Sequence, residues 1–133
     1  MRDVPSDNSG TMTAPAGNAL GIACAGLVAL AVAMGIGRFA FTPILPMMQA
    51  DAGLSLSAAG WLAAANYLGY LIGALTAARL PVVPAIRGSL VLIAVVTFGM
   101  ELGDRFTVWL ALRLLAGIAS AWVLVHVSAW TLE

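Results

Sequence analysis

Hydrophobic residues fill four long stretches of the chain, and short polar segments separate them. The stretches cover about residues 19–49, 57–79, 85–102 and 106–131. An α-helix rises about 1.5 Å per residue, so roughly 20 apolar residues cross the hydrocarbon layer of a bilayer. The pattern therefore predicts an all-α membrane protein with four transmembrane helices.

Cap and breaker residues predict where these helices begin and end. Ser57 precedes a run of small helix-forming residues, so we expect it to be the N-cap of the second helix. Pro81 and Pro84 cannot continue a helix and indicate the turn before the third one. Pro43 and Pro46 lie late in the first stretch and predict a kink or a loosened final turn there.

Residues 1–18 differ from everything that follows, because they are polar and rich in Ser, Thr, Pro and Gly. Such a composition predicts a disordered tail. Asp3 and Asp7 interrupt the basic start that a cleaved signal peptide needs, so we expect the first helix to stay in the protein. If the N-terminus is cytoplasmic, Arg2, Arg79 and Arg87 lie on the cytoplasmic side and Arg105 lies on the outer side. Arginine is enriched in cytoplasmic segments, so this distribution favours a cytoplasmic N-terminus and tail.

Composition narrows the class further. The chain is 62% hydrophobic and 9% charged, and all six of its basic residues are arginine. Its net charge is zero, so the basic surface of a nucleic-acid-binding protein is missing. Cys24 is the single cysteine, which excludes an internal disulfide, and no metal-ligand spacing occurs. We therefore expect a lipid bilayer as a partner, with no nucleic acid, metal or cofactor.

Small residues recur at every fourth position and predict close contact between helices. Tryptophans at the helix ends predict anchors at the membrane interface, with Trp61 and Trp109 at one surface and Trp130 at the other, while the deeper Trp122 packs. The two seams of small residues are Gly21, Ala25, Ala29, Ala33 and Gly37 in the first helix, and Ala65, Gly69, Gly73 and Ala77 in the second.

Polar residues form separate faces on three of the helices. Arg38 shares a face with Thr42, and Asn66 lies one turn before Tyr70. Arg113 begins a polar face on the fourth helix. An arginine keeps its charge, and an ionised side chain at membrane depth is a candidate functional residue. These three helices are therefore expected to direct polar groups to a common interior.

Two arginines in that interior need partners of opposite charge. Asp51, Glu101 and Asp104 lie near the same membrane surface, closer to Arg113 than to Arg38. The partner of Arg38 is therefore a bound anion, water or a helix outside this chain. Alternatively, the long side chain of Arg38 brings its guanidinium to water or to a lipid phosphate.

The runs GIGRFAFTPILPMM (35–48) and SAAGWLAAANYLGYLIGAL (57–75) resemble the start of bacterial transporters of the major facilitator superfamily, in the YbfB/YjiJ-type branch. The resemblance extends from about residue 19 to the end of the chain. That superfamily has a G-x-L-x-x-D-R-x-G-R-type signature between helices two and three, and Ala77 or Ala78 occupies the place of its acidic residue. The matching positions of this cytoplasmic loop motif are Gly73, Leu75, Arg79 and Arg87.

The fourth helix resembles the family's R-x-x-x-G-x-x-x-A pattern through Arg113, Gly117 and Ala121, with Ala116 where glutamine is frequent. The resemblance implies that Arg113 is a cavity arginine that takes part in proton coupling. It also implies a twelve-helix secondary transporter in the bacterial inner membrane that moves a small solute by alternating access. Four helices would be its N-terminal part, incomplete alone and completed by the remaining helices of the parent transporter or by another copy.

Within this interpretation the predicted substrate-binding residues are Arg38, Thr42, Asn66 and Tyr70, and an anionic solute is the candidate. Asn66 and Tyr70 serve equally well as helix contacts. Two alternatives have less support. A dimeric small multidrug exporter needs a carboxylate in its first helix, where only Arg38 is ionised, and a non-transporting membrane partner or inert remnant would use only the packing seams. His126 lacks an acid at catalytic spacing, so no enzyme is expected.

Overall fold

A computed structural model describes residues 16–102 and 105–132 as helices joined by short connections. The predicted disordered tail lies almost entirely outside the described residues, as does Asp104. Four helical spans are long and apolar enough to cross a membrane: Ala19–Asp51, Leu56–Ala77, Val82–Glu101 and Phe106–Thr131. The prediction of an all-α membrane protein with four transmembrane helices is confirmed.

The first span consists of three helical segments, and each later span is a single helix. The first span contains helix α1 (Ala16–Leu30), a π-helix (Ala31–Phe39) and helix α2 (Phe41–Ala52). The second, third and fourth spans are α3 (Leu56–Ala77), α4 (Val82–Glu101) and α5 (Phe106–Leu132).

The irregular part of the first span lies upstream of its prolines, not at them. The Ala40 N–H donates to the carbonyl oxygen of Gly35, five residues earlier, at 2.8 Å, which is the spacing of a π-helix. Because α2 then begins at Phe41, Pro43 falls in its first turn, where a missing N–H costs no intrahelical bond. Pro46 lies inside α2, and the helix continues past it to Ala52.

A left-handed glycine and a serine cap form the connection between the first two spans. Gly53 ends α2 with φ 61°, a conformation that glycine adopts without a Cβ clash. Ser55 is the N-cap of α3, and its Oγ accepts the Ala58 N–H at 3.1 Å. The prediction of Ser57 as the cap is wrong, because the helix begins one residue before it and Ser57 is an exposed residue of the first turn.

Helix α5 contacts all three other spans and packs most extensively against α3. The two backbones touch through glycines on both sides. A Cβ at Gly69 would overlap the Leu114 carbonyl oxygen, and a Cβ at Gly73 would lie 2.6 Å from the Ile118 carbonyl oxygen. All four members of the predicted second-helix seam are buried: Ala65, Gly69, Gly73 and Ala77.

The first span packs on α5 through the second half of its own seam. Ala33 is 0% exposed, and its carbonyl oxygen accepts a hydrogen bond from the Ser120 Oγ at 3.0 Å. A Cβ at Gly37 would lie 2.6 Å from that Oγ. Gly21 and Ala25 are exposed, so the seam does not extend to the start of α1. One core cluster joins the first, third and fourth spans through Ala29, Ala33, Ile93, Ala119, Val123 and Val127.

The closeness of α3 and α5 makes a specific prediction about Gly117. Its substitution by alanine would place a Cβ against the Asn66 carbonyl oxygen and 2.8 Å from the Tyr70 nitrogen. Because the obstacle is backbone, we expect Gly117→Ala to lower the free energy of unfolding by about 1–3 kcal/mol in an SDS and dodecylmaltoside titration. The matched control is Gly60→Ala, whose Cβ meets nothing within 4 Å. Equal stability of the two variants would contradict this packing.

Candidate functional site

Two cavities adjoin in the half of the bundle that contains Gly53. The larger has a volume of about 300 Å³ and lies between the first, third and fourth spans. The smaller has a volume of about 100 Å³ and lies between the first, second and fourth spans. Two residues line both cavities, Phe41 and Arg113. Together these cavities are the candidate functional site.

Arg113 is the most deeply buried ionisable group that borders the cavities. Its side chain is 5% exposed, and its Nε has no hydrogen-bond partner among the described residues. The ring centre of Phe41 lies 4.4 Å from the guanidinium carbon. A ring face attracts a cation but cannot accept the Nε–H as an oxygen would. Arg113 therefore brings a positive charge to the cavities and contains a donor that has no acceptor among the described residues.

Phe41 forms a wall between the two cavities. It is 8% exposed and packs with Leu62 and Trp109 in a second core cluster. Sequence reasoning did not select Phe41, because a buried phenylalanine in an apolar stretch has no distinguishing pattern. Its position three residues after Arg38 places both on one helix face, which was the available signal.

The smaller cavity brings together residues from three spans. Arg38 and Thr42 come from the first span and Asn66 from the second, while Arg113 comes from the fourth. The sequence predicted a shared interior for these residues, and all four line this one cavity. Its complete lining is Arg38, Phe39, Phe41, Thr42, Ala63, Asn66, Tyr67 and Arg113.

Aromatic rings surround the guanidinium of Arg38. Its central carbon lies 4.8 Å from the ring centre of Tyr70, 5.2 Å from that of Tyr67 and 5.8 Å from that of Phe39. These distances are within the range of cation–π attraction. Tyr70 is thereby close to the charge it was predicted to accompany, and Tyr67 is a neighbour that sequence reasoning missed. Arg38 is half-buried, so it is less isolated from solvent than Arg113.

Asn66 connects α3 to α5 next to this site. Its Nδ2 donates to the Arg113 carbonyl oxygen at 3.0 Å, and the residue is 4% exposed. Because this hydrogen bond joins a side chain of α3 to the backbone of α5, Asn66 holds the two helices together at the position of the buried arginine. It also lines the smaller cavity, so packing and contact with a solute are compatible roles for Asn66.

Carboxylates border the larger cavity. Asp51 and Glu101 are exposed and belong to its lining, together with Arg113. Trp109 also lines the larger cavity, and its ring is buried, unlike that of an anchor exposed to lipid. Its exposed fraction is 7%, and its Nε1 donates to the Met100 carbonyl oxygen at 3.1 Å. The ring of Trp109 therefore packs between α4 and α5, and its place at the membrane interface stays a prediction.

The predicted loop motif lies at the opposite end of the bundle from the cavities. Gly73 is buried against α5, while Leu75 is 70% exposed. Arg79 and Arg87 are exposed. None of the four lines either cavity. No group of three potential metal ligands occurs among the residues that were described.

The same end of the bundle is held together by polar contacts between α3, its following turn and α5. The Trp122 Nε1 donates to the Thr76 Oγ1 at 3.0 Å. The His126 ring nitrogens lie 2.7 Å from the Trp122 carbonyl oxygen and 3.2 Å from the Leu80 carbonyl oxygen. These contacts hold the helices together, and His126 therefore has a packing role.

The sequence was compared with known proteins. The sequence model of one protein family, described as "Uncharacterised MFS-type transporter YbfB", matches residues 30–133. The matched segment contains Arg38, Arg113 and every other residue that lines the two cavities. Searches among curated proteins and among solved structures returned no match.

The Asn66 contact predicts a measurable loss of stability. We expect Asn66→Ala to lower the free energy of unfolding in mixed detergent micelles by about 0.5–2 kcal/mol, because it removes a hydrogen bond between two membrane helices. Tyr67→Phe on the same helix is the control, since it removes a hydroxyl from a side chain that is 60% exposed. Unchanged stability in Asn66→Ala would show that this hydrogen bond does not hold α3 to α5.

Proposed function

The chain belongs to the YbfB-type family of MFS transporters, and we propose that it supplies the first four helices of a secondary transporter that moves a small, anionic solute by alternating access. Membrane transport is the activity of the family as a whole. The proposal adds to it the N-terminal position, the mechanism and the class of solute.

The observation that carries the proposal is the position of Arg113. A charge that is 5% exposed inside four apolar helices is costly unless an anion or water reaches it. Its Nε lacks a partner among the described residues, and the side chain borders both cavities. A buried guanidinium that borders an open cavity brings a positive charge to it and favours a negatively charged solute.

The remaining predicted residues support a path through the smaller cavity. We propose that Arg38 attracts the anionic group at the entrance, where Tyr70 keeps the guanidinium in place by a cation–π contact. Thr42 is exposed on the same cavity and offers a hydroxyl to the solute. Asn66 positions Arg113 through its backbone and retains a second amide hydrogen for the solute.

Proton coupling requires a group that gains and loses a proton next to Arg113. An arginine itself remains charged, so the proton must reside on a neighbour. Asp51 and Glu101 border the same cavity and are the carboxylates within the described part of the chain that fit this task. Protonation of either would raise the net positive charge around Arg113 and strengthen its attraction for an anion.

Alternating access also requires a second half that moves against these helices. We propose that further helices of the parent transporter face the cavities. We also propose that the protein lies in a bacterial inner membrane with the N-terminus in the cytoplasm, as the distribution of its arginines favours. The Gly53 connection would then face the outside.

Thiol labelling from the two membrane sides tests this function without knowledge of the solute. In a Cys24→Ala background, Thr42→Cys should react with a membrane-impermeant maleimide from both sides in the complete transporter, because alternating access exposes the cavity to each side in turn. In the four-helix chain alone it should react from the outer side only. The control is Val95→Cys, which is 61% exposed on α4 but lines neither cavity, and which should stay unlabelled within the bilayer.

Labelling of the complete transporter from one side only would contradict alternating access around these cavities. Equal labelling of the Thr42→Cys and Val95→Cys variants would contradict the cavity itself.

A further inference from the structure

The larger cavity has opposite charges at its two ends. Arg113 lies at the end that is buried in the helix bundle, against the ring of Phe41. Asp51 is in the last turn of α2 and lines the other end of the cavity. Glu101 is the last residue of α4 and lines that end too. The first of these charges is buried and the other two are exposed.

The length of the cavity follows from the helix that forms one of its walls. Phe41 and Asp51 lie ten positions apart in the continuous helix α2, which is about 15 Å along the helix axis. The Arg113 guanidinium lies against Phe41, and the Asp51 and Glu101 side chains line the other end, so the opposite charges are on the order of 10 Å apart. Trp109 contributes to this spacing, because its bond to the Met100 carbonyl oxygen holds α5 beside the end of α4.

Between the charged ends the walls are apolar and adaptable. Methionine side chains have three rotatable bonds and fit irregular apolar shapes. A volume of about 300 Å³ is at the lower end of the range of small-molecule sites. The apolar residues that line this middle section are Ile44, Met47, Met48, Val96 and Met100.

From these features we propose that the larger cavity binds an amphipathic zwitterion, a solute with a carboxylate at one end, an aliphatic middle section and an ammonium group at the other end. This inference rests on the proposed function and refines its solute, because the anionic group that Arg113 binds becomes the carboxylate of a solute that also carries an ammonium group. The carboxylate accepts hydrogen bonds from the guanidinium of Arg113, which borders the cavity, and the aliphatic section lies along the methionines. The ammonium group lies between Asp51 and Glu101.

Other charge patterns leave part of this cavity without a complement. A dianion would bring a second negative charge toward the two carboxylates, which repel it. A simple cation would complement Asp51 and Glu101 but would leave the buried Arg113 without an acceptor. A plain monocarboxylate satisfies Arg113 and places only hydrocarbon beside the two acids.

The test compares three probes of matched length on the full chain in nanodiscs, with affinities measured by isothermal titration calorimetry. The probes are ω-amino-octanoate, octanoate and octylamine. We expect ω-amino-octanoate to bind roughly threefold to tenfold more tightly than octanoate, because exposed charge pairs contribute modestly. Octylamine should bind most weakly.

The matched variants separate the two ends of the cavity. Asp51→Asn combined with Glu101→Gln should abolish the preference for ω-amino-octanoate and leave the affinity for octanoate unchanged or higher. Both substituted side chains are exposed, so the fold should be retained. Arg113→Gln should weaken both carboxylate probes at least tenfold, and Arg79→Gln, at the far end of the bundle, should change neither.

Equal binding of octanoate and ω-amino-octanoate would overturn the zwitterion and leave the anion site of the proposed function standing. Persistence of the preference in the Asp51 and Glu101 double variant would also overturn it. Carboxylate binding that is absent, or that survives Arg113→Gln, would overturn both proposals.

Discussion

A guanidinium that cannot lose its charge is held among apolar helices, and most features of this molecule follow from how that charge is accommodated. Arg113 is 5% exposed and comes from α5, the helix that all other spans contact. The chain surrounds it with an aromatic face from Phe41 on one side and with open cavities beyond. None of the described residues accepts a hydrogen bond from the Arg113 Nε–H. The interior is therefore electrostatically incomplete and suited to receive a negative group.

Close packing of backbones places that charge accurately. Gly69 and Gly117 allow α3 and α5 to approach until a methyl group would overlap the opposite carbonyl oxygen. At this distance the Asn66 amide reaches the Arg113 carbonyl oxygen across the interface. On the other side, the Ser120 Oγ reaches the Ala33 carbonyl oxygen within the π-helix of the first span. Small residues thus set the helix distances, and single hydrogen bonds set the register at the site.

Much of this arrangement could be predicted from residue patterns. Four apolar stretches specify four spans, and the polar faces predicted on three of them include Arg38, Thr42, Asn66 and Arg113, which line one cavity. The π-helix was not predicted, and its hydrogen bond from the Ser120 Oγ to the Ala33 carbonyl oxygen joins residues that are distant in the chain. The Ser55 cap was missed because two serines lie two residues apart and only the backbone distinguishes them. Phe41 and Trp109 look like ordinary core or interface residues until the helices are assembled, since their importance lies in which charge or carbonyl group they meet.

The most direct test of the account is the environment of the Arg113 side chain in a bilayer. Proton-detected solid-state NMR of the chain in lipid, with its arginine side chains labelled with ¹⁵N, can report which protons lie near the Nε–H. The account predicts cross-peaks from the Arg113 Nε–H to water and to the Phe41 ring, with none to lipid acyl chains. Cross-peaks to acyl-chain protons without contact to water would contradict it, because the guanidinium would then face the membrane and not an internal cavity.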